Sequence, residues 1–211
     1  MKLPLLNIDG GKSDSIDVSE KIFKLNVNYR LIKYVIDWQL NHAKPRTAKT
    51  KQRNEIRGST KKIVAQKGSG GARHASKKAP LFVGGGVAHG PKGSIYKIKK
   101  INKKVRKLAL AQSLSKKSND KNLYILADVK KEIKKTKEFN KFLIKNNLSN
   151  VLIISDENSL KNINKSARNI KNLKLIKEEG ANIYDLFKYT SVIMTSTSVK
   201  KIQDRILNEK N

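Results

Sequence analysis

The residues with the clearest chemistry in this sequence are basic, and they are crowded. Between Lys44 and Lys104 stand eighteen lysines and arginines: Lys44, Arg46, Lys49, Lys51, Arg53, Arg57, Lys61, Lys62, Lys67, Arg73, Lys77, Lys78, Lys92, Lys97, Lys99, Lys100, Lys103 and Lys104. Glu55 is the sole acid among them. Such side chains neutralise phosphates and release the counterions condensed on a polyanion, and an arginine can fork onto phosphate or guanine. Nine of the 12 glycines and three of the four prolines share the same stretch. Glycine lets a backbone come close to a crowded surface. A segment of this composition cannot bury enough apolar surface to offset its own ordering entropy, so it needs a polyanion to hold it.

A second set of candidates is acidic. Asp128, Asp156, Glu157, Glu178 and Glu179 follow apolar runs of strand length, and Thr195 to Ser198 follow another. Ligands of parallel α/β sheets bind just beyond the carboxyl ends of the strands. Asp128, Asp156 and Glu178 could there hold Mg²⁺ for phosphohydrolase or nuclease chemistry. The plainer reading has Asp156, Thr197 and Ser198 capping helices and the other acids solvated in loops. It is preferred because no histidine, lysine or glycine-rich loop accompanies the acids in a catalytic order.

Other chemistries fail on spacing. Gly11-Lys12-Ser13 lacks the glycine that a phosphate-binding loop needs five residues earlier, where Leu6 stands, so it reads as a turn. Ser69 and Ser76 flank His74, but nothing in the segment holds a nucleophile and a base together. There are no cysteines, and His42, His74 and His89 lack the spaced carboxylates of a zinc site. No catalytic residue, metal or cofactor is assigned; the chain reads as a binding protein, not an enzyme.

The formal charge of +30 over 211 residues far exceeds what solubility asks for. A phosphate polymer is the natural partner. No run reaches the ~20 apolar residues that cross a bilayer, and Leu3 to Leu6 is too short for a secretory core. The expectation is a cytoplasmic protein with no membrane partner.

The elements that must position the basic stretch are legible on either side of it. Leu3 to Ile8 and Ser15 to Val18 read as strands joined by the turn Asp9-Gly10-Gly11-Lys12, a hairpin. Leu31, Ile32, Val35, Ile36, Trp38 and Leu40 recur at helical spacing from Asn28 to His42, with Pro45 as the stop and Trp38 in the core. Asn102 caps a second helix running to about Ser115, with Val105, Leu108 and Ala109 as one apolar stripe and Leu110 with Leu114 as another. Strand-length runs then follow at Leu123 to Ala127, Val151 to Ile154, Leu173 to Ile176 and Val192 to Thr195. Helical segments separate them at Lys137 to Asn147, Asn158 to Ile170 and Ile183 to Phe187, and a last helix carries Val199, Ile202 and Ile206. Continuous apolar strands alternating with helices predict an α/β fold, a parallel sheet covered by helices on both faces in three layers. To it are added the N-terminal hairpin and a long extended basic internal loop. The predicted organisation is a globular body, 1–43 and 97–211, with an RNA-binding arm, 44–96, inserted in it.

RNA is favoured over DNA as the polyanion. No helix-turn-helix, zinc finger or basic coiled coil is present to enter a major groove, whereas an irregular glycine-rich arm suits the crevices of a folded RNA. Only Phe82, Tyr96, His74 and His89 could stack on bases, so the arm reads mainly backbone and shape. Going out and back at ~3.3 Å per residue, it could reach at most roughly 90 Å. The predicted RNA contacts are Lys44, Arg46, Lys49, Lys51, Arg53, Arg57, Lys61, Lys62, Lys67, Arg73, His74, Lys77, Lys78, Lys92, Lys97, Lys103, Lys104 and Arg106. A general nucleic-acid-coating protein without a defined site is the remaining alternative.

The same stretch resembles the bacterial form of large-subunit ribosomal protein four. The resemblance is carried by Thr47-Ala48-Lys49-Thr50-Lys51 with Arg53, Arg57-Gly58, Lys61-Lys62, Gln66-Lys67-Gly68-Ser69-Gly70 and Ala72-Arg73. It continues through Gly84-Gly85-Gly86-Val87, Gly90-Pro91-Lys92 and Asn102-Lys103-Lys104-Val105-Arg106 with Leu108-Ala109-Leu110. It implies a structural ribosomal protein that binds ribosomal RNA early in subunit assembly. Its body would sit on the outer face of the large subunit, and its arm would thread through RNA to line the nascent-peptide exit tunnel. Gln66, Lys67, Gly68, Ser69 and Gly70 match the family's loop tip. The implied partners are ribosomal RNA, neighbouring ribosomal proteins and the nascent peptide. The chain departs from the family in carrying Val64 and Ala65 where an aromatic residue and an arginine are usual.

Overall fold

The computed structural model describes residues 1–6, 12–93, 100–129 and 131–207. It divides into two compact units, Met1–Leu40 with Lys100–Asn211, and Asn41–Lys99. The larger unit is built on strands β1 (Lys2–Leu6), β2 (Lys12–Asp17), β3 (Leu123–Leu126), β4 (Val151–Ser155), β5 (Leu173–Lys177) and β6 (Ser191–Thr195). Its helices are α1 (Glu20–Phe23), α2 (Tyr29–Ala43), α3 (Lys103–Asn119), α4 (Thr136–Lys145), α5 (Glu157–Ala167), α6 (Ile183–Lys188) and α7 (Ser196–Leu207).

The strands form one sheet in the order β2-β1-β3-β6-β4-β5. β1 and β2 pair antiparallel, with Leu3 opposite Ile16, and every other neighbouring pair is parallel. The expected strand end at Ile8 and the turn at 9–11 lie outside the described residues.

Strand order and handedness decide which face each helix covers. The steps β3 to β4 and β4 to β5 move one way across the sheet, and β5 to β6 moves back. Right-handed crossovers therefore place α4 and α5 on one face and α6 on the other. The core divides accordingly. Leu123, Ile125, Leu152, Ile154, Val192 and Met194 pack with Ile22, Phe23, Val35, Leu114, Leu186, Val199 and Ile202. On the opposite face Leu126, Val151, Ile153 and Ile193 pack with Phe139, Phe142, Leu143 and Ile163. Alternate residues of each strand thus serve opposite cores, which is why the strands read as unbroken apolar runs.

The helices differ from expectation where polar residues are buried. α3 runs on to Asn119 because Gln112, Ser113, Ser115 and Lys117, which read as the end of an apolar pattern, are buried with partners, and Ser118 is buried beside them. The Ser115 hydroxyl donates to the Ile22 carbonyl at 2.6 Å and accepts the Leu25 amide at 3.0 Å. Gln112 Oε1 accepts the Asn28 amide. Lys117 Nζ donates to the Tyr189 and Thr190 carbonyls at 2.8 and 2.9 Å. Burial pushes the pKa of that ammonium down.

Asn28 does start α2, its side chain accepting the Arg30 and Leu31 amides. Leu40 and Leu108, assigned above to apolar stripes, are exposed. Trp38 is half-buried rather than core, with the Arg106 guanidinium 5.3 Å above its ring. α1 and a short 3-10 turn at Glu178–Gly180 carry no periodic signal and were not foreseen.

Candidate nucleic-acid interface

Residues 44–93, the described part of segment 41–99 beyond α2, have almost no regular secondary structure, yet their backbone groups find one another. Thr50 N donates to Pro91 O, Val87 N to Lys51 O and Gly93 N to Ala48 O, all within 2.9 Å, and Lys49 bridges antiparallel to Lys92. Residues 48–51 thus run against 87–93 as a two-stranded stem. Further out, Ile63 N donates to Ala75 O at 3.0 Å and closes the loop that carries the tip, Gln66 to Gly70. Three overlapping turns between Ser76 and Gly85 bring the chain back, and Gly86 N donates to Lys78 O.

Two glycines make the stem possible. A Cβ on Gly86 would stand 2.3 Å from Arg53 N, and one on Gly90 would stand 2.0 Å from Thr50 Oγ1. Neither position has room for any other residue without movement of its neighbours.

Of the sequence-derived contacts, Lys44, Arg46, Lys49, Lys51, Arg53, Arg57, Lys61, Lys62, Lys67, Arg73, Lys77 and Lys92 are exposed, as are Lys103, Lys104 and Arg106 at the start of α3. His74 and Lys78 are half-buried. Lys97 and Tyr96 lie outside the described residues. The tip residues Gln66, Lys67, Gly68, Ser69 and Gly70 are exposed, with Lys62 Nζ bonded to Gln66 Oε1. His74 and Phe82 meet edge to face at 5.1 Å, so each already occupies part of the other's ring surface.

The charges of the two units are handled differently. In the larger unit several acids are paired with lysines: Glu132 with Lys165, Glu157 with Lys161, Asp185 with Lys174 and Glu178 with Lys201. The Glu178 carboxylate raises the Lys201 pKa. Among the described residues no lysine or arginine of segment 41–99 forms an ion pair. Its sole acid, Glu55, accepts the backbone amide of Gln52 instead. The segment therefore presents an uncompensated positive field, suited to a polyanion.

The acids at the strand ends do structural work. Asp128 takes the Thr197 amide at 3.0 Å and its hydroxyl at 2.6 Å, which ties the end of β3 to the first turn of α7. Asp156 caps α5 by accepting Ser159 N at 3.3 Å, and Thr195 Oγ1 donates to it at 3.2 Å. Burial raises the Asp156 pKa, but the bonds from Ser159 and Thr195 outweigh it and hold the carboxyl below the ordinary range. Glu178 is buried against Lys201 rather than solvated. Thr197 and Ser198 lie inside α7 and are not caps; Ser198 donates to Ile154 O and Thr195 O. Among the described residues no group of three histidines, cysteines or acids is placed to hold a metal ion.

Sequence reasoning passed over two neutral residues, Gln52 and Asn54, that stand beside Arg53 in the wall of a concavity. It also passed over Lys107 and Arg205, which line a groove with Lys103 and Arg106. The 103, 106, 107 spacing on one helical face was the available signal for Lys107; for the amides there was none.

Comparison with known proteins shows the family. A family model described as Ribosomal protein L4/L1 family matches residues 16–205. A large ribosomal subunit protein uL4 from Pelagibacter ubique is 49% identical over 206 residues, 97% of this chain and 99% of that protein. Proteins of the same name from Hyphomonas neptunium and Geotalea daltonii are 34% and 38% identical, each over at least 96% of both chains. The chain therefore belongs to the ribosomal protein L4/L1 family, in its bacterial form.

Proposed function

We propose that this chain is a non-enzymatic structural constituent of the large ribosomal subunit and binds ribosomal RNA directly, early in assembly. In this reading the body, 1–43 and 97–211, anchors the protein among RNA and neighbouring ribosomal proteins in the cytoplasm. The arm, 44–96, enters the folded RNA and brings Gln66 to Gly70 to the wall of the nascent-peptide tunnel. The observation that carries the reading is the contrast in charge pairing: several acids of the larger unit are matched with lysines, while the described cations of segment 41–99 form no ion pair. Held together without a counter-charge, those cations repel one another, and RNA phosphates relieve the repulsion while releasing counterions.

The test is binding to large-subunit ribosomal RNA across a salt series, with the full chain and with a form lacking residues 46–96. The full chain is expected to show a steep logarithmic salt dependence, and the deleted form to lose most of its affinity while staying folded. Equal binding by both forms would remove the arm from the function. Sedimentation of the tagged protein with large subunits from a cell lysate checks the assembly itself.

A further inference from the structure

Phosphate binding alone would be served by cations on a convex surface, yet residues 52–92 also form an open concavity of about 780 Å³. That volume falls within the ~300–1,000 Å³ of small-molecule sites. Its wall combines three chemistries. Pro80 and Val87 supply apolar surface, Gln52 and Asn54 supply side-chain amides, and Arg53 and Lys92 supply charge. An amide offers donors and an acceptor together, the complement of a base edge, whereas a phosphate can use only its donors.

We infer that this concavity receives one unstacked nucleotide of the bound RNA, with its base against Pro80 and Val87, its edge read by Gln52 and Asn54, and its phosphates on Arg53 and Lys92. The inference rests on the RNA-binding function proposed above and adds to it a site of base recognition. Sequence-selective contact with RNA characteristically uses bases splayed out of their helices in this way.

The fold holds the site's two sides in register. On one side the Gln52–Glu55 turn is closed twice, by Glu55 N donating to Gln52 O and by Glu55 Oε2 accepting Gln52 N. On the other, His89 stands in the left-handed region at φ 55°, turning the chain between Val87 and Gly90. Gly86 and Gly90 lock the sides together, each lying against backbone or side chain of residues 50–53. Arg53 and Asn54 are thereby presented by a turn whose position is fixed from behind.

The experiment uses the full chain and purified large-subunit ribosomal RNA as the probe. Asn54→Ala and Gln52→Ala are each expected to weaken binding about three- to tenfold, as loss of one or two hydrogen bonds requires. Because both residues are neutral, the salt dependence should keep its slope, whereas Arg53→Ala should lower that slope by about 1. Photo-crosslinking with thiouridine-substituted RNA should join a nucleotide to the peptide containing Pro80 and Val87. If the wild type binds and both amide variants bind equally well, the site reads no base and the inference falls while RNA binding stands. If the wild type does not bind, the function and the inference fall together.

Discussion

Gly86 lies directly against the backbone of Arg53: a Cβ at position 86 would come within 2.3 Å of Arg53 N and 2.6 Å of the Gln52 carbonyl carbon. The obstacle is main chain and cannot rotate aside. Gly86→Ala should therefore part residues 50–53 from 86–93 and break the bonds from Val87 N to Lys51 O and from Thr50 N to Pro91 O. The expected outcome is faster hydrogen exchange at those two amides and RNA affinity reduced at least about tenfold, a loss of ~1.4 kcal/mol. Thermal unfolding of the larger unit should not move, since no described residue of the segment belongs to its two cores.

Replacing Lys61, Lys62 and Lys67 together by glutamine removes charge near the tip without touching the stem bonds. If all three meet phosphate, the logarithmic salt slope should fall by about 2 to 3. A slope unchanged from wild type would mean that the tip lies away from RNA backbone.

Much of the larger unit was legible because its strands and helices obey simple periods. Val151–Ser155 and Ser191–Thr195 are buried along their whole length, and unbroken apolar runs are what a strand between two cores requires. The end of α3 was not legible. Ser115 and Lys117 look like surface residues until α1 with the residues after it, and the residues just before β6, supply their partners, and those partners are 72 to 93 residues distant. The basic stretch was legible as a set of charges. Its folding was not, because the bonds of the stem are backbone to backbone, and only the glycines hint that two chain segments pass so close. Gln52 and Asn54 escaped for a related reason: an isolated amide carries no pattern, and its importance comes from the wall it shares.

Ser115 offers a direct measure of that long-range matching. Its hydroxyl serves the Ile22 carbonyl in α1 and the Leu25 amide just after it. Ser115→Ala leaves two backbone groups short of a partner and should cost about 1–3 kcal/mol. Urea unfolding would show it as a lower midpoint at unchanged slope. A variant as stable as wild type would mean that water replaces the hydroxyl without loss.

Asp156 has a folded-state pKa below its ordinary value of 3.8, because the bonds from Ser159 and Thr195 favour the carboxylate more than burial opposes it. The unfolded chain then binds the proton more tightly than the folded one. By linkage, the carboxylate's contribution is fully present above about pH 4 and is lost as pH falls through the folded-state pKa. Asp156→Ala should therefore cost about 1 kcal/mol near neutrality, as loss of a helix cap does. The gap between variant and wild type should narrow as the pH is lowered below 4. Melting temperatures of both proteins across an acid series give the answer, and Thr195→Val, which removes one donor and leaves the carboxylate, should produce a smaller gap that closes over the same range. A gap that stays constant to the acid limit would mean that Asp156 holds α5 by shape rather than by charge.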